Sequence, residues 1–265
     1  MIDCHIHSNH SGDCVVPIIE VCRAAVSRGI KTICFTDHID FEPTDTCFGA
    51  FDCDGYKTRI HEAQEVFKGV LEIRSGVEVD FQIKYRSQIE EFLRGKSFDY
   101  VLGAAHYVDS VILEDYDRYF PGKTAEEAYA PYFDITLAAV KTGWFDALAH
   151  LDLCKRYGVR YFGPFDWTPY RERIEQILRA VIDLDMALEI NTSGLRQSPQ
   201  DTYPSADILE LYFSLGGRLI TIGSDAHKTE DVGAGIADAY EKIKRIGFDS
   251  IVTFSNRQRI TVEQL

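Results

Sequence analysis

Short apolar segments alternate with longer amphipathic segments seven times along this chain of 265 residues. Segments of this length, rich in β-branched residues, are typical of buried parallel strands joined by right-handed helical crossovers. They lie near residues 2–6, 31–36, 71–78, 99–105, 145–149, 187–191 and 218–224. The alternation leaves two architectures open, a doubly wound open sheet and a closed βα barrel, and the length suits one barrel. No G-x-G-x-x-G or P-loop follows a strand, which disfavours the nucleotide-binding forms of the open sheet.

Local signals predict where several helices begin. Pro17 precedes the apolar stripe of the first helix, at a position where a missing N–H does no harm. We predict that Ser87 caps a short third helix, and Thr124 and Glu127 have the spacing of a capping box for the fourth. The segment 251–254 is predicted to be a further strand whose pairing the sequence does not define.

The composition indicates a single globular domain covering residues 1–265, without a linker or low-complexity tract. The net charge of −14 would repel nucleic acids and acidic membranes, so we expect neither as a partner. No apolar stretch approaches the length of a membrane span, and no signal peptide is apparent. The seven cysteines are odd in number and form no repeated C-x2-C pair, which predicts reduced thiols and a cytoplasmic protein.

Histidine and carboxylate side chains concentrate where the predicted strands end. Because strands of a barrel open their C-terminal ends onto one face, these side chains should converge there. Imidazole and carboxylate groups are ligands of first-row divalent metals, and such polar groups are costly to bury without partners. The pattern therefore predicts a metal site. Its members at the strand ends are His5, His7, His38, Glu78, His106, His150, Asp225 and His227.

Four other polar residues stand outside this predicted ligand set, and each has its own interpretation. Asp37 could be a direct ligand, but we favour a role in orienting a ligating imidazole. Asp80 follows Glu78 on the same strand face and could contribute as well. His10 is interpreted as a loop residue and His61 as a solvated helical residue.

Six short motifs carry a family resemblance. They are Asp3-x-His5-x-His7, Thr36-Asp37-His38, Gly76-Val77-Glu78, Ala105-His106, Ala149-His150 and Ser224-Asp225-Ala226-His227. In type and order they resemble the motifs of the polymerase and histidinol phosphatase (PHP) family, and they extend over most of the chain. Within that family, segments 189–196 and 216–227 are most similar to the stand-alone histidinol-phosphate phosphatases.

The resemblance implies an α/β fold, a distorted seven-stranded (β/α)7 TIM-like barrel of the PHP type. It also implies up to three divalent ions, for which zinc, manganese and iron are all candidates. Glu78 would bridge two of these ions. The implied ligand sets are His5, His7, Glu78 and Asp225 for one ion, Glu78, His106 and His150 for the next, and His38, His227 and Asp13 for the third. Some family members have histidine at the position of Asp13.

Two arginines follow strands at the same rim and suit bidentate recognition of phosphate. Arg156 lies after the fifth strand and Arg196 after the sixth. We predict that both bind and stabilise a phosphate group. Lys155 is a weaker candidate for the same role. His38 and Asp152 are candidate proton donors to a leaving alkoxide.

These features lead to a metal-dependent phosphoric monoester hydrolase as the expected function. The resemblance implies hydrolysis of L-histidinol phosphate to L-histidinol and inorganic phosphate in histidine biosynthesis, by metal-activated water without a phosphoenzyme. One alternative is the same chemistry on another small ester, such as a nucleotide, a short oligonucleotide or a sugar phosphate. A second alternative is a metal-binding module without catalytic activity.

Overall fold

The computed structural model describes the backbone of residues 1–264 and the side chains of residues 1–260. The strands in this part of the chain are β1 (Ile2–Ile6), β2 (Thr32–Ile39), β3 (Glu72–Asp80), β4 (Tyr100–Ala104), β5 (Tyr107–Val108), β6 (Val111–Ile112), β7 (Ala147–Leu148), β8 (Ala187–Asn191), β9 (Ile220–Gly223), β10 (Ser250–Ser255) and β11 (Gln258–Gln264). The helices are α1 (Ile18–Ser27), α2 (Cys53–Val66), α3 (Arg86–Arg94), α4 (Tyr116–Tyr119), α5 (Ala125–Val140), α6 (Cys154–Phe162), α7 (Arg171–Asp183), α8 (Ala206–Ser214) and α9 (Ile236–Ile246). Short 3-10 helices cover Ile83–Tyr85, Thr168–Tyr170, Ser193–Arg196 and Thr229–Asp231.

Seven strands form one parallel sheet in the order β1-β2-β3-β4-β7-β8-β9. Its two edges meet, because Ile6 and Ala226 form a parallel bridge. The N–H of Asp225 donates to the carbonyl of His5 at 2.8 Å, and the N–H of His7 donates to Ala226 at 3.0 Å. These contacts close the sheet into a nearly complete barrel, which confirms the barrel prediction and excludes the open sheet.

The closing edge requires a glycine in β9. A Cβ atom at Gly223 would lie 2.2 Å from the Cβ of His5 and 2.9 Å from its backbone nitrogen. Such distances are far below van der Waals contact, so a larger residue would push β9 away from β1. Close approach of two backbones is a common reason for glycine within a strand.

The antiparallel hairpin β10–β11 lies under the barrel, at the end where the parallel strands begin. The Phe254 ring stacks on Tyr100 with centroids 5.3 Å apart, and Arg74 donates to the Phe254 carbonyl at 3.0 Å. Cys4 on β1 contacts Thr253 at 3.4 Å. The predicted strand of undefined pairing is therefore part of a hairpin that closes the lower end of the barrel core.

Most of the sequence signals for helix N-termini are correct. The capping box of α5 is present, because Thr124 accepts from the Glu127 N–H at 3.3 Å and Glu127 accepts from the Thr124 N–H at 2.8 Å. The prediction for Ser87 is wrong. The 3-10 turn before α3 runs directly into the helix, so Tyr85 occupies the N-cap position and Ser87 lies inside α3.

Three features at the upper rim were not predicted: the hairpin β5–β6, the one-turn helix α4 and the helix α6. Strands of two residues and a helix of four have too little periodicity to stand out in a sequence. The connection after β4 and the helix after β7 both line the cavity described below.

No helix within residues 1–264 combines the length and the apolar character needed to cross a membrane. The single domain expected for residues 1–265 stays a prediction, and its last residue lies outside the described part of the chain.

We expect Phe254→Ala to lower the free energy of unfolding by about 3 kcal/mol, because it removes a buried ring from the lower end of the core. Urea denaturation would measure the change. Ile260→Ala on the same hairpin is the control, since Ile260 is exposed and its truncation should cost less than about 1 kcal/mol. Equal effects of both substitutions would contradict the role assigned to the hairpin.

Candidate metal centre

The side chain of Glu78, near the end of β3, lies between two pairs of imidazoles and is 1% exposed. Its Oε2 atom lies 3.1 Å from His5 Nε2 and 3.4 Å from His7 Nε2. Its Oε1 atom lies 2.7 Å from His150 Nε2 and 3.6 Å from His106 Nε2. The two oxygens of one carboxylate thus serve two separate groups of nitrogen atoms.

The first group is formed by β1 and the turn after β9. His5 and His7 are two residues apart on a strand, so both side chains point into the barrel, and their Nε2 atoms are 3.0 Å apart. Asp225 Oδ1 lies 3.4 Å from His7 Nε2 and 3.7 Å from His5 Nε2. Burial and the neighbouring charges of His227 and His38 lower the pKa of His7 to about 3. His7 is therefore neutral and presents a nitrogen lone pair.

The second group is formed by Glu78 and the residues that follow β4 and β7. The Nε2 atoms of His106 and His150 are 3.4 Å apart. His106 Nδ1 lies 3.4 Å from Asp80 Oδ1. Burial alone would lower the pKa of His106, but the hydrogen bond to Asp80 and the charge of Glu78 raise it to about 10.

The third group lies nearer the solvent. Asp13 Oδ2 is 3.0 Å from His227 Nε2 and 3.5 Å from His38 Nε2. The ring of His227 stacks on that of His7 with centroids 4.0 Å apart. His227 Nδ1 faces the carbonyl of Asp225 at 3.1 Å, so Nδ1 carries the hydrogen. Burial disfavours the charged form of His227, but the hydrogen bond to Asp13 and the charge of Asp225 raise its pKa to about 9.

Bound cations explain these contacts better than hydrogen bonds do. A carboxylate only accepts hydrogen bonds, and two imidazole nitrogens 3.0 Å apart, as in His5 and His7, can share only one proton. The oxygens of Glu78 and the neutral ring of His7 therefore direct lone pairs into the same buried space. Imidazole nitrogen and carboxylate oxygen together are a donor set for first-row divalent metals, which would satisfy every member at once.

The structure brings together all nine residues predicted as ligands. Their donor atoms form three groups, each within 4.8 Å: His5, His7 and Asp225; Glu78, His106 and His150; and His7, Asp13, His38 and His227. His7 belongs to two of these groups, whereas the family resemblance implies only one ligand set for it. The assignment of each residue as a ligand stays a prediction.

A second layer of carboxylates orients the imidazoles, and its main member was missed in the sequence. Glu189 on β8 places Oε1 2.5 Å from His5 Nδ1, while its Oε2 accepts from the His150 N–H at 2.8 Å. The signal was present, because Glu189 and Asn191 alternate at a strand end. Asp80 acts in a similar way, accepting from the His106 N–H at 2.8 Å.

Asp37 supports the site differently from our prediction. In the described residues its carboxylate contacts no imidazole, and it accepts from the N–H of Ser8 at 2.6 Å and from its hydroxyl. These bonds hold the loop after β1. From that loop, the Ser11 hydroxyl lies 3.2 Å from His7 Nδ1 and accepts from the His38 N–H at 2.8 Å. Burial raises the pKa of Asp37 to about 6.

A cavity of about 440 Å³ opens above the three groups, and both predicted arginines line it. Arg196 is anchored, donating from Nη2 to the Ser224 carbonyl at 2.8 Å and pairing through Nε with Asp231 at 3.2 Å. The guanidinium of Arg156 lies 4.9 Å from the centroid of the Tyr157 ring. Within residues 1–260 it makes no hydrogen bond and no ion pair, so its donors remain available to a ligand.

Two further residues that the sequence offered for the phosphate site lie outside this cavity. Lys155 is 3% exposed and Asp152 is fully buried, and neither lines the cavity. Lys155 Nζ pairs with Asp152 Oδ2 at 2.8 Å. Lys155 is therefore not a competing phosphate ligand, and Asp152 is not in a position to protonate a leaving group.

Three further carboxylates line the same cavity, those of Asp40, Asp45 and Glu114. Asp40 is 8% exposed, and burial together with the charges of Asp80 and Asp45 holds its pKa well above the ordinary value. The cavity thus combines two guanidinium groups with several carboxyl groups.

We expect Glu189→Gln to lower the affinity for divalent metal by about 10–100-fold, because the amide is a weaker acceptor for His5 Nδ1. Titration of the metal-free protein with Zn²⁺ or Mn²⁺ would measure the change. Glu210→Gln, on the exposed face of α8, is the matched control and should bind as the wild type does. Unchanged affinity in Glu189→Gln would show that Glu189 does not support the centre.

Known proteins share both the fold and the sequence of this chain. The family model described as PHP domain matches residues 3–193. The histidinol-phosphatase of Lactococcus lactis is 31% identical over 255 residues, covering 96% of this chain and 94% of that protein. The probable histidinol-phosphatase of Thermotoga maritima is 29% identical and covers 99% of both chains.

A solved structure agrees over the same length. The crystal structure of the L. lactis histidinol phosphate phosphatase, complexed with zinc, L-histidinol and phosphate, superimposes with a TM-score of 0.90 at 30% identity. It covers 98% of each chain. Together with the match to the family model over most of the barrel, these similarities show that the chain belongs to the PHP domain family.

Proposed function

We propose that this protein hydrolyses L-histidinol phosphate to L-histidinol and inorganic phosphate, in histidine biosynthesis, as a metal-dependent phosphatase. The observation that carries the proposal is the cavity, where two arginines and several carboxyl groups line the space above a nitrogen and carboxylate centre. The relatives named histidinol-phosphatase match almost the entire chain, which supports the same substrate here.

The metal requirement follows from the family and from the donor set. We assign up to three divalent ions to the three groups of donor atoms. Glu78, whose oxygens lie 3.1 Å from His5 Nε2 and 2.7 Å from His150 Nε2, would contribute to two of these ions. Zinc is present in the L. lactis structure, and manganese and iron suit the same donors. Bound there, divalent ions would supply an activated water nucleophile and neutralise charge on the phosphate.

The residues of the chain bind and orient the phosphate. Arg156 and Arg196 project into the cavity, where their planar donor groups match phosphate oxygens. Ser224 and Asp231 hold Arg196 in a fixed orientation in the cavity. The side chain therefore loses little conformational entropy when phosphate binds. We assign both residues to binding the substrate and to stabilising charge in the transition state.

His38 is the candidate proton donor that lines the cavity. Its Nε2 atom faces Asp13, and its Nδ1 atom is buried without a hydrogen-bond partner in the described residues, 3.5 Å from Glu78 Oε2. We retain both roles for His38, as a ligand of the third ion or as a catalytic proton donor, and Nε2 cannot serve both at the same time.

The carboxylates that line the cavity suit the remainder of the substrate. Histidinol phosphate carries a primary amine and an imidazole, which are cationic or hydrogen-bond donors near neutral pH. Asp45 and Glu114 would attract these groups and disfavour an ester that is negative throughout, such as a nucleotide or a sugar phosphate. The net charge of −14 disfavours polynucleotides for the same reason.

The proposed location is the cytoplasm. All seven cysteines are buried and unpaired, as in a protein kept in a reducing compartment. The proposed partner is a small phosphate monoester.

We expect histidinol phosphate to lead a panel of nucleotide and sugar phosphates by at least about 100-fold in kcat/KM. Phosphate release by protein reconstituted with manganese, zinc or iron would measure this, with metal-free protein as the control. A different leading monoester would overturn the substrate and leave the metal centre intact. No turnover of any ester with any metal would support the alternative of a non-catalytic module.

We expect Glu114→Gln to raise KM for histidinol phosphate by about tenfold, a loss of ~1.4 kcal/mol from one charge interaction. Hydrolysis of p-nitrophenyl phosphate, which has no cationic group, should change little. Glu91→Gln on α3, also exposed but outside the cavity, is the matched control. Equal effects on both substrates would contradict recognition of the amine or imidazole by Glu114.

A further inference from the structure

We propose that buried Lys155 is a positioning residue that holds the two phosphate-binding arginines at their working separation. This inference rests on the proposed function, because it assumes that Arg156 and Arg196 bind the phosphate. The two arginines lie on different segments. Arg156 is in the first turn of α6, and Arg196 ends the 3-10 helix Ser193–Arg196 after β8.

Lys155 bonds to both segments at once. Its Nζ atom donates to Asp152 Oδ2 at 2.8 Å, within the turn that leads into α6. It also donates to the carbonyl of Thr202 at 2.8 Å, in the segment that follows Arg196. Lys155 is 3% exposed and Asp152 is fully buried, so water does not compete for these bonds. One ammonium group therefore joins the two arginine-bearing segments.

Further contacts make this connection rigid. Asp152 Oδ2 also accepts from the N–H of Ser205 at 3.1 Å, which gives a second bond between the same two segments. The ammonium of Lys155 lies 5.1 Å from the centroid of Tyr203, and the Tyr203 hydroxyl donates to Gln197 Oε1 at 2.8 Å. Gln197 is the next residue after Arg196, so the connection ends beside the arginine it would position.

The same turn leads back to the metal centre. The N–H of Leu153 donates to the carbonyl of the predicted ligand His150 at 2.9 Å, and the N–H of Arg156 donates to Leu153 at 2.9 Å. Arg156 is thus set relative to the centre by its own turn. The guanidinium of Arg196 is held by Ser224 and Asp231, and the segment that carries it is tied to the turn of Arg156 through Lys155. Without the ammonium group, we expect the spacing of the two guanidinium groups to relax and phosphate binding to weaken.

The test uses Lys155→Met in the metal-loaded protein, with inorganic phosphate as the probe. We expect the inhibition constant of phosphate and KM for histidinol phosphate to rise by about tenfold, with kcat within about threefold and metal content unchanged. Lys242→Met is the matched control. Lys242 bonds to Asp201 and Thr202 in the same network but has no bond to the turn before α6, so phosphate inhibition should be unchanged.

A second variant separates positioning from folding. Asp152→Asn combined with Lys155→Met leaves no unpaired buried charge, so its melting temperature should recover relative to Lys155→Met. Weak phosphate inhibition should persist in this double variant. Wild-type phosphate inhibition in a folded Lys155→Met protein, or its recovery together with stability in the double variant, would overturn the inference. A wild-type protein that neither binds phosphate nor hydrolyses any monoester would instead overturn the proposed function, and the inference with it.

Discussion

The buried carboxylate of Glu78 is the constraint on which the upper half of the barrel depends. A carboxylate removed from water is costly unless charges or hydrogen bonds replace its hydration. Here burial would raise its pKa, but the charges of His5 and His38 and the hydrogen bonds from His150 and His5 hold the pKa well below its ordinary value. Those imidazoles come from different strands, so the anion is stabilised only when the strands are arranged as a barrel.

The groups around this carboxylate are themselves held by a further set of polar contacts. Glu189 orients His5 and bonds to the backbone of His150, so one side chain supports both groups of imidazoles. Asp37 fixes the loop after β1, and Asp80 fixes His106. Each of these buried carboxylates thus has an imidazole or a backbone N–H as its partner.

The sequence predicted the parts of the molecule that depend on local periodicity. Apolar segments located the seven barrel strands, and the polar residues at their ends located the centre, because strand direction alone brings those ends together. Glu189 was not assigned to the centre, because its partner His5 is 184 residues away in the chain. The hairpin β5–β6 was missed because its strands have only two residues. Helix α6 was missed because it begins without a capping side chain and contains Gly158. Ser87 failed because the turn before α3 begins the helix early.

The contact between β1 and β9 has a consequence for the order in which the molecule can be assembled. His5 is synthesised well before Asp225 and the bridging Ala226, which follow the last strand of the barrel. During translation, a nascent chain whose strands β1 to β8 have left the ribosome still lacks Asp225, the last member of the first group of donor atoms. The donor set proposed for the first ion is therefore complete only after β9 and the turn that follows it have been synthesised, so we expect that ion to be bound only after nearly the whole barrel has been translated.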